Sequence, residues 1–415
     1  MNTPPVIELR EYEKRTDIDL QLDEKDQQLS EELKQKGILT ITGDPISHKL
    51  KFEASSLIGV AQFTNFTVTI NPKFTNIENL VKLINYVYDL DIDILPESEV
   101  KFRNESDMLT EIIISSFLNQ CKNLIRQGLY KSYVIHQERN MPCLRGKLLL
   151  VQQLQNDARK NAKFACEFDE LEYNNLENQI LLYCLHKCSD WTIIDSKKNE
   201  LHSLIQQIAP LVNYEQITIE HFKKINYTRL NQYYEKIHQL CQIIVQNMGI
   251  SDFYEQKTSF VNSFFVDMNK IFEKFFFKFV QQYYPLPSKE QVSEVAWVST
   301  LNEKFSNEPD ILIYNENRTS VKYILDTKYK FEVKHDDLRQ VDDYMQQHGK
   351  NDGGFLIYPK IPGSKTKEWY TPQKYRNSEI KVRFIDIDKA IDLIYTRDSS
   401  IRKEKIREYF EEIIN

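Results

Sequence analysis

Two apolar runs in the last third of the chain, each carrying an acidic residue, constrain its fold most. The first is Glu308-Pro309-Asp310-Ile311-Leu312-Ile313 and the second Tyr323-Ile324-Leu325-Asp326-Thr327-Lys328-Tyr329. Between them lies the polar cluster Asn315-Glu316-Asn317-Arg318, so the spacing predicts a β-hairpin with one carboxylate on each strand. Side chains alternate along a strand, which puts Asp326 and Lys328 on one face and Leu325 and Thr327 on the other. With Asp310 opposite them, two carboxylates and an ammonium make the charge pattern needed to hydrolyse a phosphodiester. The carboxylates can hold a hard divalent cation that binds phosphate oxygens, and the amine can orient or activate the attacking water. An Asp two residues before a Lys is also the pattern of a solvated strand edge with a surface ion pair.

The order Pro-Asp, spacer, Asp-x-Lys resembles the PD-(D/E)xK nuclease superfamily, which implies a C-terminal α/β core with a mixed sheet flanked by helices. Upstream, residues 265–280 carry Met268, Ile271, Phe272, Phe275, Phe276 and Phe279 at helical spacing, with Glu273 flanking that stripe. In this superfamily a glutamate of the first core helix reaches the metal, which makes Glu273 the candidate third carboxylate; pairing with Lys270 one turn earlier is the alternative. Downstream, Asp336 or Asp337 can cap a helix that stacks Gln340 and Tyr344 at i and i+4. This Q-x-x-x-Y pattern resembles nuclease branches in which it positions the site and the DNA backbone, although Gln and Tyr at that spacing are also an ordinary helix pair. The resemblance implies one or two Mg2+ ions on Asp310 and Asp326, helped by Glu273 and the backbone carbonyl of Thr327, with Asp310, Asp326, Lys328 and Glu273 as the catalytic set.

A chain of 415 residues can bury two or three cores. With 28% charged and 12% aromatic residues it has an ordinary globular composition, and its net charge of −7 excludes an all-over basic protein but not a local basic strip. Six scattered cysteines fit a reducing compartment better than a disulfide framework. In Cys184-Leu185-His186-Lys187-Cys188 a helix would turn His186 away from the two thiols, which argues against zinc. Residues 1–24 form no basic-plus-apolar leader and no run suffices to span a bilayer, so the expectation is a cytoplasmic protein without membrane contact. The chain has no G-x-x-x-x-G-K-[ST] loop, so we expect no nucleotide on it.

The patterning predicts an α+β multidomain chain. Strands are expected at 6–12, 37–42, 49–52, 57–63 and 66–70, and helices at 76–87 and 107–126, the latter with a stripe of Leu109, Ile112, Ile113, Phe117, Cys121 and Leu124. A helical stretch follows at 175–248, broken near Pro210. The expected division is a β-rich N-terminal partner-binding region with helices at 1–165, a helical connecting region at 166–254, and an endonuclease domain at 255–415.

Several strings in the first two thirds share one order: Gly59-Val60, Thr69-Ile70-Asn71-Pro72-Lys73-Phe74, Arg126 with Gly128 and Leu129, Leu144-Arg145-Gly146-Lys147, and Glu167-Phe168-Asp169-Glu170 with Asn178. Together with the C-terminal motifs this series, over about residues 55–350, resembles McrC-type nuclease subunits of McrBC modification-dependent restriction systems. The resemblance implies Mg2+-dependent cutting of double-stranded DNA, driven by a McrB-like hexameric AAA+ GTPase that recognises modified DNA of the 5-methylcytosine type. Dimerisation of nuclease domains in the assembly is a further possibility. A stand-alone exonuclease or repair nuclease, and a non-catalytic scaffold of nuclease fold, are the alternatives. In the basic and aromatic segment 360–383, Lys365, Lys367, Lys374 and Arg376 are the candidate phosphate contacts, with Lys381 and Arg383 further on; a solvated loop packing its aromatics on the core is the other reading.

Overall fold

A computed structural model describes residues 5–43, 49–90, 92, 105–192, 194–246, 264–292, 294–298, 304–349, 351–361, 364–365, 367–370 and 379–414. These form a mixed α+β structure with several sheets and twelve α-helices among the described residues. They fall into two compact units, one made of Met1–Leu109 with Ser263–Asn415 and the other of Thr110–Asn262.

The first unit holds a six-stranded mixed sheet. Its strand order is Ser288–Glu290, Ile311–Tyr314, Val321–Thr327, Gly353–Pro359, Glu379–Ile385 and Lys367–Tyr370. The expected hairpin is present: Ile311 pairs with Leu325, Leu312 with Ile324 and Ile313 with Tyr323, antiparallel. The next two pairings, Val321–Thr327 with Gly353–Pro359 and Gly353–Pro359 with Glu379–Ile385, are parallel. Parallel neighbours need a crossover, and helix His335–Gln347 supplies the first. Strand Gly353–Pro359 is buried at every position, as the continuous run Phe355-Leu356-Ile357-Tyr358 requires of a central strand. Val341, Tyr344 and Met345 of the crossover helix join Leu312, Ile324, Leu356, Tyr358 and Val382 in one apolar cluster.

Gly354 permits that close packing. A Cβ there would lie 2.4 Å from Val341 Cγ1 and 2.7 Å from Met345 Sδ. Gly354→Ala is therefore expected to destabilise this unit by about 1–3 kcal/mol, measured by thermal or urea unfolding; an unchanged midpoint would contradict the packing described.

Helix Met268–Tyr283 buries all six apolar positions expected of it, but begins later than the pattern suggests. Residues Phe264–Asp267 instead form a strand antiparallel to Leu57–Gln62, extending the sheet of Val6–Arg10, Thr67–Asn71 and Leu57–Gln62. The helix can start only after Asp267, whose carboxylate accepts the Asn269 N–H at 3.0 Å. The crossover helix likewise starts from Lys334, not from Asp336 or Asp337; the Asp337 carboxylate accepts the Lys334 N–H at 2.9 Å from inside the first turn. Asn76 caps helix Ile77–Tyr88. Strand Lys14–Ile18 and helix Glu24–Gln35 are elements the sequence reading did not include.

The second unit contains most of helix Glu105–Gln127, whose residues Ile112, Ile113, Phe117, Cys121 and Leu124 are buried as expected, with helices Leu176–Trp191, Asp195–Ile208 and Glu235–Gln246. Helix Asp195–Ile208 ends just before Pro210. Strands Ser132–Met141, Phe164–Glu172 and Lys147–Leu148 form a sheet. Gly146 explains one string of the ordered series: it sits at φ +63°, and a Cβ would lie 2.3 Å from the Glu167 carbonyl oxygen. Asn178 is fully buried and donates to the Tyr130 and Tyr173 carbonyls while accepting from the Tyr234 hydroxyl.

Candidate active site

The hairpin register sets Asp310 beside the end of the lysine-bearing strand. Its Oδ2 accepts both the Thr327 N–H and the Thr327 hydroxyl, each at 2.7 Å. Asp326 is fully buried, with Oδ2 2.7 Å from Lys328 Nζ. Its Oδ1 is buried and has no hydrogen-bond partner. A buried carboxylate oxygen without a donor is costly unless a cation or a proton compensates it.

Lys328 Nζ also donates to Gln340 Oε1 at 2.9 Å. Gln340 Nε2 donates to the Tyr344 hydroxyl at 2.6 Å, and that hydroxyl donates to the Glu308 carbonyl at 3.3 Å. The Q-x-x-x-Y pair thus runs as a chain of hydrogen bonds from the ammonium to the backbone just before Pro309-Asp310. The sequence reading placed these two residues near the site; the continuous chain is what the structure adds.

Glu273 is half-buried on helix Met268–Tyr283. Gln291, which the sequence reading did not single out, donates its side-chain N–H to Glu273 Oε1 at 2.6 Å and its backbone N–H to the Asp310 carbonyl at 3.1 Å. Among the described residues, the group of three potential ligands with atoms mutually within 4.8 Å is His136, Glu170 and Glu172 of the second unit. Glu273 is therefore not drawn that closely into the Asp310–Asp326 pair.

The electrostatics agree with the geometry. Burial, then the charge of Asp310, push the Asp326 carboxyl up to about 7, against the pull of Lys328. Burial raises Asp310 above the usual carboxylate range despite its bonds from Thr327. Burial and the Asp310 charge raise Glu273 as well. For Lys328, burial would lower the value, but Asp326 and Asp310 outweigh it and hold the amine protonated. Two carboxyls of raised basicity beside one ammonium, with Glu273 raised by burial and the charge of Asp310, form an oxygen-rich donor set suited to a hard divalent cation.

The basic segment is placed in part. Lys365 is exposed and Lys367 lies on the edge strand Lys367–Tyr370, while Lys374 and Arg376 lie outside the described residues. Arg383 is not a free phosphate contact: it is 4% exposed, with its guanidinium 3.4 Å from Glu368. Cys184 and Cys188 are buried, and His186 packs its ring edge-on against Tyr214.

Comparison with known proteins bears on this arrangement. The chain is 26% identical over 272 residues to the type IV methyl-directed restriction enzyme EcoKMcrBC of Escherichia coli (strain K12), covering 57% of this chain and 73% of the relative. Its fold matches a chain in the refined half-complex from the tetradecameric assembly of Thermococcus gammatolerans McrB AAA+ hexamers with bound McrC. That match has a TM-score of 0.58 at 20% identity, with 99% of this chain and 100% of the other covered. The cryo-EM structure of the Thermococcus gammatolerans McrBC complex gives a TM-score of 0.45 at 21% identity over 69% of this chain and 89% of that one. The model of the McrBC 5-methylcytosine restriction system component family matches residues 52–359, well over half the chain and both hairpin strands, so this chain belongs to that family.

Proposed function

We propose that the chain is the DNA-cutting subunit of a modification-dependent restriction system, with a PD-(D/E)xK core built on the six-stranded sheet and an endonuclease domain at about 255–415. The carrying observation is the Asp310–Asp326 pair at the hairpin end, with Lys328 Nζ 2.7 Å from one Asp326 oxygen and the other buried without a partner. Asp310, Asp326, Glu273 and the Thr327 carbonyl would hold one or two Mg2+ ions, which when bound polarise the scissile phosphate and acidify a water. Lys328 is kept protonated and aimed by Asp326 and Gln340, so it donates to the phosphate oxygens where negative charge develops. Thr327 fixes the Asp310 carboxylate by two hydrogen bonds. Tyr344 ties Gln340 to the Pro-Asp strand and so sets the distance between lysine and carboxylates. Lys365 and Lys367, with Lys374 and Arg376, supply charge for the DNA backbone in this reading.

The partner in this reading is a McrB-like AAA+ GTPase hexamer, as in the solved assembly the fold matches, and the substrate is double-stranded DNA carrying a modified cytosine. The test is cleavage of methylated and unmethylated plasmid with Mg2+, with and without the AAA+ partner and GTP. Cutting of methylated plasmid only, and only with partner and nucleotide, is expected. Cutting by the isolated chain would favour a stand-alone nuclease, and no cutting in any mixture would favour a scaffold.

A further inference from the structure

Lys328 is the last residue before the chain leaves the sheet: its N–H still bonds the Ile357 carbonyl at 2.8 Å, and the next three residues turn away. Those residues are gripped by the N-terminal part of the same compact unit. The Tyr329 hydroxyl donates to Glu11 Oε2 at 3.0 Å, and the same oxygen accepts the Lys73 N–H at 2.8 Å. Both Glu11 and Tyr329 are buried, with Glu11 at 0% exposure. The Tyr12 hydroxyl donates to the Tyr329 carbonyl. The Tyr329 ring packs against Phe74 at 4.8 Å and Phe272 at 5.6 Å between centroids, and Phe272 immediately precedes Glu273. Phe331 lies against Tyr12 and Phe74, with Lys73 Nζ 4.1 Å from its ring centre.

Two features mark this contact as more than surplus packing. Tyr12 adopts φ +60° in the Arg10–Glu13 turn, closed by the Glu13 N–H on the Arg10 carbonyl at 3.0 Å, and that turn carries its hydroxyl to the Tyr329 carbonyl. Glu11 is a carboxyl placed wholly inside the protein, where a hydrophobic residue would be cheaper. The grip also gives a role to Asn71-Pro72-Lys73-Phe74, whose Lys73 and Phe74 supply a backbone donor, a cation and a ring to it.

We infer that Glu11 is a positioning residue for Lys328, acting through the Tyr329 hydroxyl. The inference rests on the nuclease reading above. Tyr329 follows Lys328 directly, so fixing its hydroxyl, carbonyl and ring fixes the backbone from which the ammonium reaches Asp326 and Gln340. Burial pushes the Glu11 carboxyl up to about 8, so near neutrality the contact needs an acceptor oxygen more than a charge, and glutamine can supply one.

The test uses the complex assembled with its AAA+ partner and GTP, cutting methylated plasmid in Mg2+, with Lys328→Ala as control. Glu11→Ala and Tyr329→Phe are expected to lower the single-turnover rate at saturating plasmid by about 10- to 100-fold, with half-saturating plasmid and the partner's GTP hydrolysis unchanged, and Glu11→Gln is expected to restore most of the rate. Tyr329→Phe removes one oxygen and keeps both ring contacts, so it carries the test where Glu11→Ala fails to fold. Wild-type rates in Glu11→Ala and Tyr329→Phe, with Lys328→Ala inactive, would overturn the inference and leave the nuclease reading standing. Parallel losses of rate, plasmid affinity and GTP hydrolysis would also overturn it, as a purely structural contact. Wild-type cutting by Lys328→Ala, or none by the wild type, would remove the nuclease reading and this inference together.

Discussion

Asp326→Asn is expected to abolish cleavage, by at least about 10³-fold, and to make the metal-free protein more stable at pH 8. The folded-state value of this carboxyl is about 7 against 3.8 for the free group. A carboxyl raised on folding contributes stability that is fully present below the lower value and is lost as pH climbs through the higher one. At pH 8 the wild type therefore carries an ionised, fully buried carboxylate with one oxygen unpartnered. Asparagine removes that charge, at the cost of the ion pair to Lys328, and the net gain is about 1–3 kcal/mol. The gain should vanish near pH 4, where the wild-type carboxyl is protonated too. Saturating Mg2+ reverses the ranking at pH 8, since a cation held at about 1,000 times its dissociation constant adds about 4.1 kcal/mol to the wild type alone. Melting curves at pH 4 and 8 with and without Mg2+ check this, and a variant less stable than the wild type in metal-free buffer at pH 8 would refute it.

Lys328→Met is expected to cost cleavage about 10²- to 10³-fold and to shift stability the other way. Removing the ammonium leaves Asp326 buried without its counter-charge and Gln340 Oε1 without its donor. Breaking one side of a buried pair is the expensive way to lose it, about 3 kcal/mol here at pH 8. The double variant Asp326→Asn/Lys328→Met should recover most of that loss, because neither charge then stands alone. Additive effects in the unfolding midpoints would show that the two side chains do not interact as described.

The hairpin was legible because its signals were local: strand-forming residues on both sides of a polar turn, with charges placed by alternation. Helix Met268–Tyr283 was legible from its phenylalanine spacing, but its start was not. Residues Phe264–Asp267 satisfy the same apolar pattern as a strand, and only the partner strand Leu57–Gln62, about 200 residues earlier, decides between them. Gln340 and Tyr344 were found through their spacing, whereas Gln291 carries no pattern and is placed by its bonds to Glu273 and Asp310. The strand Ser132–Met141 gave no alternating signal because the apolar Tyr133 and Ile135 are on its exposed face while Ser132, Val134 and His136 are the half-buried ones, so polarity does not follow burial. The burial of Arg383 was likewise invisible, because its neighbour Glu368 belongs to the antiparallel edge strand and not to the local sequence.

The central claim is that the carboxylate pair at the hairpin end is the phosphodiester-cutting centre. The most direct measurement is Mg2+-dependent cleavage of methylated plasmid by the assembled complex carrying Asp310→Ala, with the AAA+ partner's GTP hydrolysis read in the same tube. Loss of cutting with GTP hydrolysis at the wild-type rate is the result this account requires. Cutting at the wild-type rate would contradict it.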